Sequence, residues 1–497
     1  MSLEGELTAP NGTTYKQPLG LFINNEFVKA KSGKTITTID PSTEKVIAEV
    51  QAAGAEDIDI AVAAARKALK SPAWKDLDTA ARGKLLLKLP TLAERDAHIL
   101  ATIDTWDNGK PYTAAMAEDA AEVIAVFQYY GGFADKNFGQ TIDTSPLKFA
   151  YTRHEPIGVC GQIIPWNYPV MMAAWKLGPA LACGNTVVLK AAEQTPLSVL
   201  YLAQLIKEAG FPAGVVNIVN GYGADAGTAI ASHPDIDKVA FTGSTATGKT
   251  IMKSGSINLK NITLETGGKS PLVVFDDANF DQAVKWSQGG IMGNMGQICT
   301  ATSRIFVQDT IYEKFISAFQ KQITSATVIG DPFDEKTTHG PQVTKAQFDK
   351  ILNYVESGKR EGAILATGGQ RHGKQGFYIE PTVFRDVQGD MKIAREEIFG
   401  PFVSIASFKT EEEVIERAND TAYGLGAAVF TENLHKAHRV AAAIEAGTVW
   451  INSSQDTHYG IPFGGYKQSG IGRELGSYAL SAYSQVKAVH VNMGLDL

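Results

Sequence analysis

Between Gly158 and Glu265, short apolar runs alternate with stretches of helical period, and this alternation constrains the fold more than any other feature. The runs are residues 186–190, 215–219, 238–242 and 261–265. After the first, Thr195 has the chemistry of a helix N-cap and Pro196 suits the first helical position. Val199, Leu202, Ile206 and Ala209 then recur at helical spacing, and Gly210 supplies a stop. Strands separated by helices of this length predict an α/β fold with a parallel sheet and right-handed crossovers. Ligands of such sheets sit at the carboxyl ends of the strands, where Gly243 and Glu265 both fall.

A second strand–helix series starts near residues 271–275 and runs to about Gly470, so a boundary is expected at Gly267-Gly268. Ahead of both series, residues 23–28 have the two-residue turn of a hairpin, and residues 57–131 are Ala-rich and helical in period. Residues 149–153 and the tail 485–493 alternate like strands but have no place in either series. Strands without a sheet of their own point to pairing between subunits.

With 497 residues, 44% of them hydrophobic, the chain can bury two or three cores. Its 46 basic and 53 acidic residues give a net charge of −7. That charge leaves no electrostatic footprint for nucleic acid and disfavours an anionic membrane surface. Three cysteines, Cys160, Cys183 and Cys299, are too few for a disulfide framework and fit a reducing compartment. The acidic N-terminus is not a signal or transit peptide, and no apolar run spans a bilayer, so a cytoplasmic protein is expected.

Residues 243–250 read Gly-Ser-Thr-Ala-Thr-Gly-Lys-Thr, the phosphate-binding pattern of P-loop NTPases. Against that reading, the loop follows the third strand of its series, and a dinucleotide pyrophosphate would suit the same helix N-terminus. Cys299 follows a Gly-, Asn- and Met-rich turn, whose backbone can aim an N–H at a developing oxyanion. Cys160 and Cys183, in apolar surroundings, read instead as small hydrophobes. Glu265, ending an apolar strand, is a carboxylate whose partial burial would raise its pKa towards that of a general base. Asn167 supplies an amide donor between aromatics in Pro165-Trp166-Asn167-Tyr168-Pro169.

Taken together, these segments resemble the aldehyde dehydrogenase superfamily, most closely its fungal cytosolic NAD-dependent members. The blocks are Leu264-Glu265-Thr266-Gly267-Gly268-Lys269-Ser270, Gly296-Gln297-Ile298-Cys299, Pro165-Trp166-Asn167, Phe241-Thr242-Gly243-Ser244, Glu397-Ile398-Phe399-Gly400-Pro401 and Pro462-Phe463-Gly464-Gly465. The resemblance implies a Rossmann-type NAD-binding domain over residues 1–136 and 156–267 and an α/β catalytic domain over 268–470. It also implies a small β oligomerisation segment, 137–155 and 471–497, in a homotetramer. The implied reaction is NAD-dependent oxidation of a small aldehyde, of the acetaldehyde type, without a metal. Cys299 would be the nucleophile, Asn167 an oxyanion donor and Glu265 the base that hydrolyses a thioester. Trp166, Lys190, Glu193, Gly243, Ser244, Gly248, Gln347, Lys350, Glu397 and Phe399 would hold the cofactor. Tyr168, Met172, Trp175, Tyr459 and Phe463 would line a substrate tunnel. Two further alternatives are a catalytically silent, crystallin-like relative and a CoA-acylating one; retention of Cys299, Glu265 and Asn167 argues against the first, and retention of Glu265, which favours water as the acceptor, against the second. Ile298, Thr300, Gln455, His458 and Tyr459 depart from the family's mammalian members where substrate enters, and Gln485 departs in the tail.

Overall fold

The computed structural model describes residues 2–496. Five parallel strands form the centre of an eight-stranded sheet, in the order Asn261–Glu265, Lys238–Thr242, Val159–Ile163, Thr186–Ala191, Val216–Asn220. The chain starts at the middle strand, Val159–Ile163, builds outwards on one side through Val216–Asn220, and then returns to build the other side. That reversal opens a crevice at the carboxyl ends of Val159–Ile163 and Lys238–Thr242, the place where open α/β sheets bind ligands. The predicted hairpin, Leu21–Ile23 with Glu26–Val28, completes one edge antiparallel. Its turn residues Asn24 and Asn25 both take positive φ, which asparagine tolerates best after glycine.

The second series forms a seven-stranded sheet around Pro271–Val274, with Arg304–Gln308 on one side and Gly426–Phe430 on the other, all parallel. Thr141–Ser145, Lys148–Pro156 and Ser484–Asn492 make a separate three-stranded antiparallel sheet. This small sheet exposes Ile142, Phe149, Val486 and Val491.

Two local expectations change. Thr195 does not cap the helix Leu197–Ala209; its hydroxyl donates to the Trp166 carbonyl at 3.2 Å. The helix start is satisfied instead by buried Asp107, whose carboxylate accepts from the Leu197 N–H at 3.0 Å. In addition, the segment from 471 is not all one unit. Gly470–Ile471 pairs with Asn261–Glu265, and Leu475, Ala479, Leu480 and Tyr483 are buried in the first unit's core. The chain therefore leaves for the small sheet only at Ser484.

Candidate active site

A cavity of about 640 Å³ opens from the crevice and runs between the two sheet units. On the crevice side it is lined by Trp166, Gly243, Ser244, Gln347, Lys350, Glu397 and Phe399. Ser244 caps the helix Thr245–Gly255, its Oγ accepting from the Thr247 N–H at 3.2 Å. The Glu397 carboxylate is held by the Gly268 N–H at 2.9 Å, and burial pushes its pKa up against the pull of Lys350 and Lys269. Gln347 donates to the carbonyls of Ile398 and Phe399, which fixes the loop that carries Glu397. The Trp166 and Phe399 rings meet edge to face at 5.3 Å.

Lys190, Glu193 and Gly248 lie outside this cavity wall. Lys190 ends a central strand and pairs with Glu193 at 3.1 Å, at the same carboxyl edge of the sheet. Gly248 lets the helix Thr245–Gly255 press against Thr266, whose methyl carbon would lie 2.9 Å from an added Cβ.

Cys299 sits at the cavity floor, after the turn Gly293–Gly296. Asn294 and Met295 are left-handed there, and a Cβ on Gly296 would overlap the Gly400 carbonyl. The turn is locked by Gln297, whose carbonyl accepts from the Asn167 amide at 2.9 Å and whose Oε1 accepts from the Val343 N–H at 3.1 Å. Asn167 thus spends one amide hydrogen on the turn, and it shares the cavity wall with Cys299. The Cys299 N–H has no partner among the described residues. From the far side, Gln455 clamps Thr300, its Oε1 accepting from the hydroxyl at 2.6 Å and its amide donating to the carbonyl at 2.9 Å.

Glu265 reaches the same floor from its strand end. Gly268 packs so closely on the Cys299 carbonyl, and Gly267 on the Glu397 carboxylate, that a Cβ on either would overlap it. The close approach at Gly268 sets the Cys299 thiol against the Glu265 carboxylate. Burial, reinforced by nearby Glu474, pushes Glu265 up to about 8. Burial and Glu265 push the Cys299 thiol well above its usual range.

Beyond Cys299 the cavity is walled by Tyr168, Met172, Trp175, Tyr459 and Phe463, the five residues expected for a tunnel. Trp175 and Phe463 meet edge to face at 5.2 Å, and Tyr459 meets Tyr129 at 5.5 Å.

Residues 27–489 match the aldehyde dehydrogenase family, with Cys299, Glu265 and Asn167 all inside the match. The chain belongs to that family. It is 58% identical over 481 residues to an aldehyde dehydrogenase of Emericella nidulans, covering 97% of this chain and 96% of the relative. It is 55% identical over 476 residues to the mitochondrial aldehyde dehydrogenase of Homo sapiens, covering 95% and 92%. Among solved structures, an NAD+ complex of an aldehyde dehydrogenase from Bacillus cereus superposes with a TM-score of 0.95 at 52% identity, covering 96% of this chain and 97% of that one.

Membership in the aldehyde dehydrogenase family removes the NTPase reading, and the geometry agrees. Lys249 and Thr250 of the P-loop-like stretch are exposed and absent from the cavity wall. Sequence reasoning missed Lys176 and Glu474, a buried ion pair beside Glu265; Lys176 also donates to the Thr242 hydroxyl at 2.7 Å. A lone lysine within the apolar run 169–182 was the available signal, because a buried lysine needs a partner. It also missed Lys110, fully buried against Asp119, whose ammonium lies 3.5 Å from the centre of the Tyr168 ring. The helical wall residues Glu118 and Glu122 were missed as well.

Proposed function

We propose that this protein oxidises an aldehyde to its carboxylic acid with NAD, through a thioester on Cys299. The observation that carries the reading is the Cys299 thiol facing the Glu265 carboxylate at the junction of a dinucleotide crevice and an apolar tunnel. The Cys299 thiol loses its proton to solvent, and the Sγ thiolate attacks the aldehyde carbon to form a C–S bond. The carbonyl π electrons move to oxygen, where the free Asn167 amide hydrogen and the Cys299 N–H donate to the oxyanion. Bound NAD supplies the hydride acceptor that leaves a thioester on Sγ. Glu265 then removes a proton from water, the hydroxide adds to the acyl carbon, and the C–S bond breaks to release the acid.

The residues fit NAD. The N-terminus of the helix Thr245–Gly255 offers unpaired N–H groups to a pyrophosphate. The Glu397 carboxylate, with Lys350 beside it, offers acceptors to the nicotinamide-side ribose. Glu193 would accept from an adenine-side ribose hydroxyl but repel a phosphate there. NAD should therefore give a kcat/KM on the order of 10–100-fold above NADP, a repulsion of ~1.4–2.8 kcal/mol between like charges. Steady-state NADH and NADPH formation measures this; a higher efficiency with NADP removes Glu193 from the assignment.

The reading includes a homotetramer in the cytoplasm, a setting that fits three unpaired thiols. The exposed apolar residues of the three-stranded sheet support association. Light scattering at micromolar concentration should give a mass well above the 53.3 kDa of one chain. A monomer mass would refute it.

A further inference from the structure

The wall of the cavity opposite the cofactor side includes one stripe of the helical segment 112–133: Ala117, Glu118, Ala121, Glu122 and Ala125. The alanines leave width. The two glutamates, one turn apart, place like charges on one stripe, which costs helix stability unless something offsets it. Neither carboxylate forms an ion pair among the described residues, and Lys350, on the cofactor side, is the one Lys or Arg on the cavity wall. His458 shares the outer wall, stacked on Tyr459 at 4.1 Å.

Both glutamates are engaged from the aromatic side. Glu118, in the π turn Ala115–Ala120, accepts from the Tyr168 hydroxyl at 3.4 Å. Such turns interrupt helices preferentially at functional sites. Glu122 faces Trp175, which is 6% exposed and whose indole N–H is aimed at the carboxylate without completing a hydrogen bond. Burial pushes the Glu122 carboxyl above its usual range.

We infer that the preferred substrate is an aldehyde with a cationic nitrogen at its far end, an ω-ammonium aldehyde. Its carbonyl would lie at Cys299 and its ammonium beside Glu118 and Glu122, against the faces of Trp175 and Tyr459. A cation there gains from both carboxylates and from the ring quadrupoles, and it favours the ionised form of Glu122. This inference rests on the aldehyde-oxidising reading above and narrows its substrate class.

Two isosteric pairs test it by NADH formation: 3-aminopropanal with butanal, and 4-(trimethylammonio)butanal with 5,5-dimethylhexanal. In at least one pair the cation should have a kcat/KM about tenfold or more above its neutral isostere. Glu122→Gln should bring that ratio towards one, chiefly through the KM of the cation, and added salt should do the same. Glu118→Gln/Glu122→Gln should go further; the single variant, at a half-buried position, suffices if the double variant does not fold. Ratios at or below one in both pairs, or a ratio that Glu122→Gln leaves unmoved, overturn the inference. Oxidation of the neutral aldehydes without such a preference sinks this inference alone, whereas oxidation of none of the four sinks the aldehyde-oxidising reading itself.

Discussion

Cys299→Ala is expected to abolish aldehyde oxidation, by about 10⁶-fold if it behaves as loss of a covalent nucleophile does elsewhere. Cofactor binding should survive, because the crevice side is held together without the thiol. Glu397 is anchored by the Gly268 N–H, and Gln347 fixes the Ile398 and Phe399 carbonyls. Fluorescence titration with NADH checks the binding, and steady-state assays check the rate. The other cysteines provide the control. Both are buried, and burial holds each thiol at about 12, far from a reactive thiolate. Cys160→Ala and Cys183→Ala should stay active, and loss of activity in either as a folded protein would undo the assignment. The Cys299 thiol is also held high, so its alkylation by iodoacetamide should climb as pH rises and the thiolate fraction grows.

Glu265→Gln separates the two half-reactions. Glutamine keeps the size of the side chain and removes its basicity. If Glu265 acts chiefly on water, the variant should release about one NADH per site in a rapid burst and then stall. Mass spectrometry should find an acyl adduct on the Cys299 peptide. Steady turnover should fall ~10²–10⁴-fold, the usual worth of general-base assistance. Because Glu265 is raised to about 8, its basic form grows as pH climbs through that value. Wild-type turnover limited by deacylation should rise over the same window, and the variant should lose that rise. Absence of a burst would assign Glu265 to deprotonating Cys299, which the face-to-face geometry also permits. Unchanged turnover would remove it from the mechanism.

Much of this was legible before any coordinates. Four of the five central parallel strands fall where the apolar runs place them, Val159–Ile163 being the one missed, and the Asn24-Asn25 hairpin turns where its residues demand. These are local matters: hydrophobic period, turn chemistry and glycine placement are written in neighbouring residues. The site blocks were legible for a related reason. Gly268 and Gly296 are needed because a backbone carbonyl passes too closely for a Cβ, and Gly267 because the Glu397 carboxylate does. The Thr195 cap failed for the opposite reason. Its local chemistry was adequate, but a buried carboxylate from a distant helix, Asp107, took the helix N-terminus.

The amino-acid sequence by itself determined the α/β alternation, the turn that carries Cys299 and the strand end that carries Glu265. Only the tertiary structure decided how those parts act on one another. The reversal of strand order opens the crevice, and the packing of Gly268 on the Cys299 carbonyl sets thiol against carboxylate. The return of residues 470–483 to the first unit brings Glu474 to Lys176 and so shapes the surroundings of Glu265. The π turn Ala115–Ala120 brings exposed Glu118 and half-buried Glu122 to the cavity wall. Spacing along the chain specifies periodicity, whereas burial and the partner of a charge depend on which distant segments meet; a carboxylate's pKa, and with it its chemistry, follows from the second.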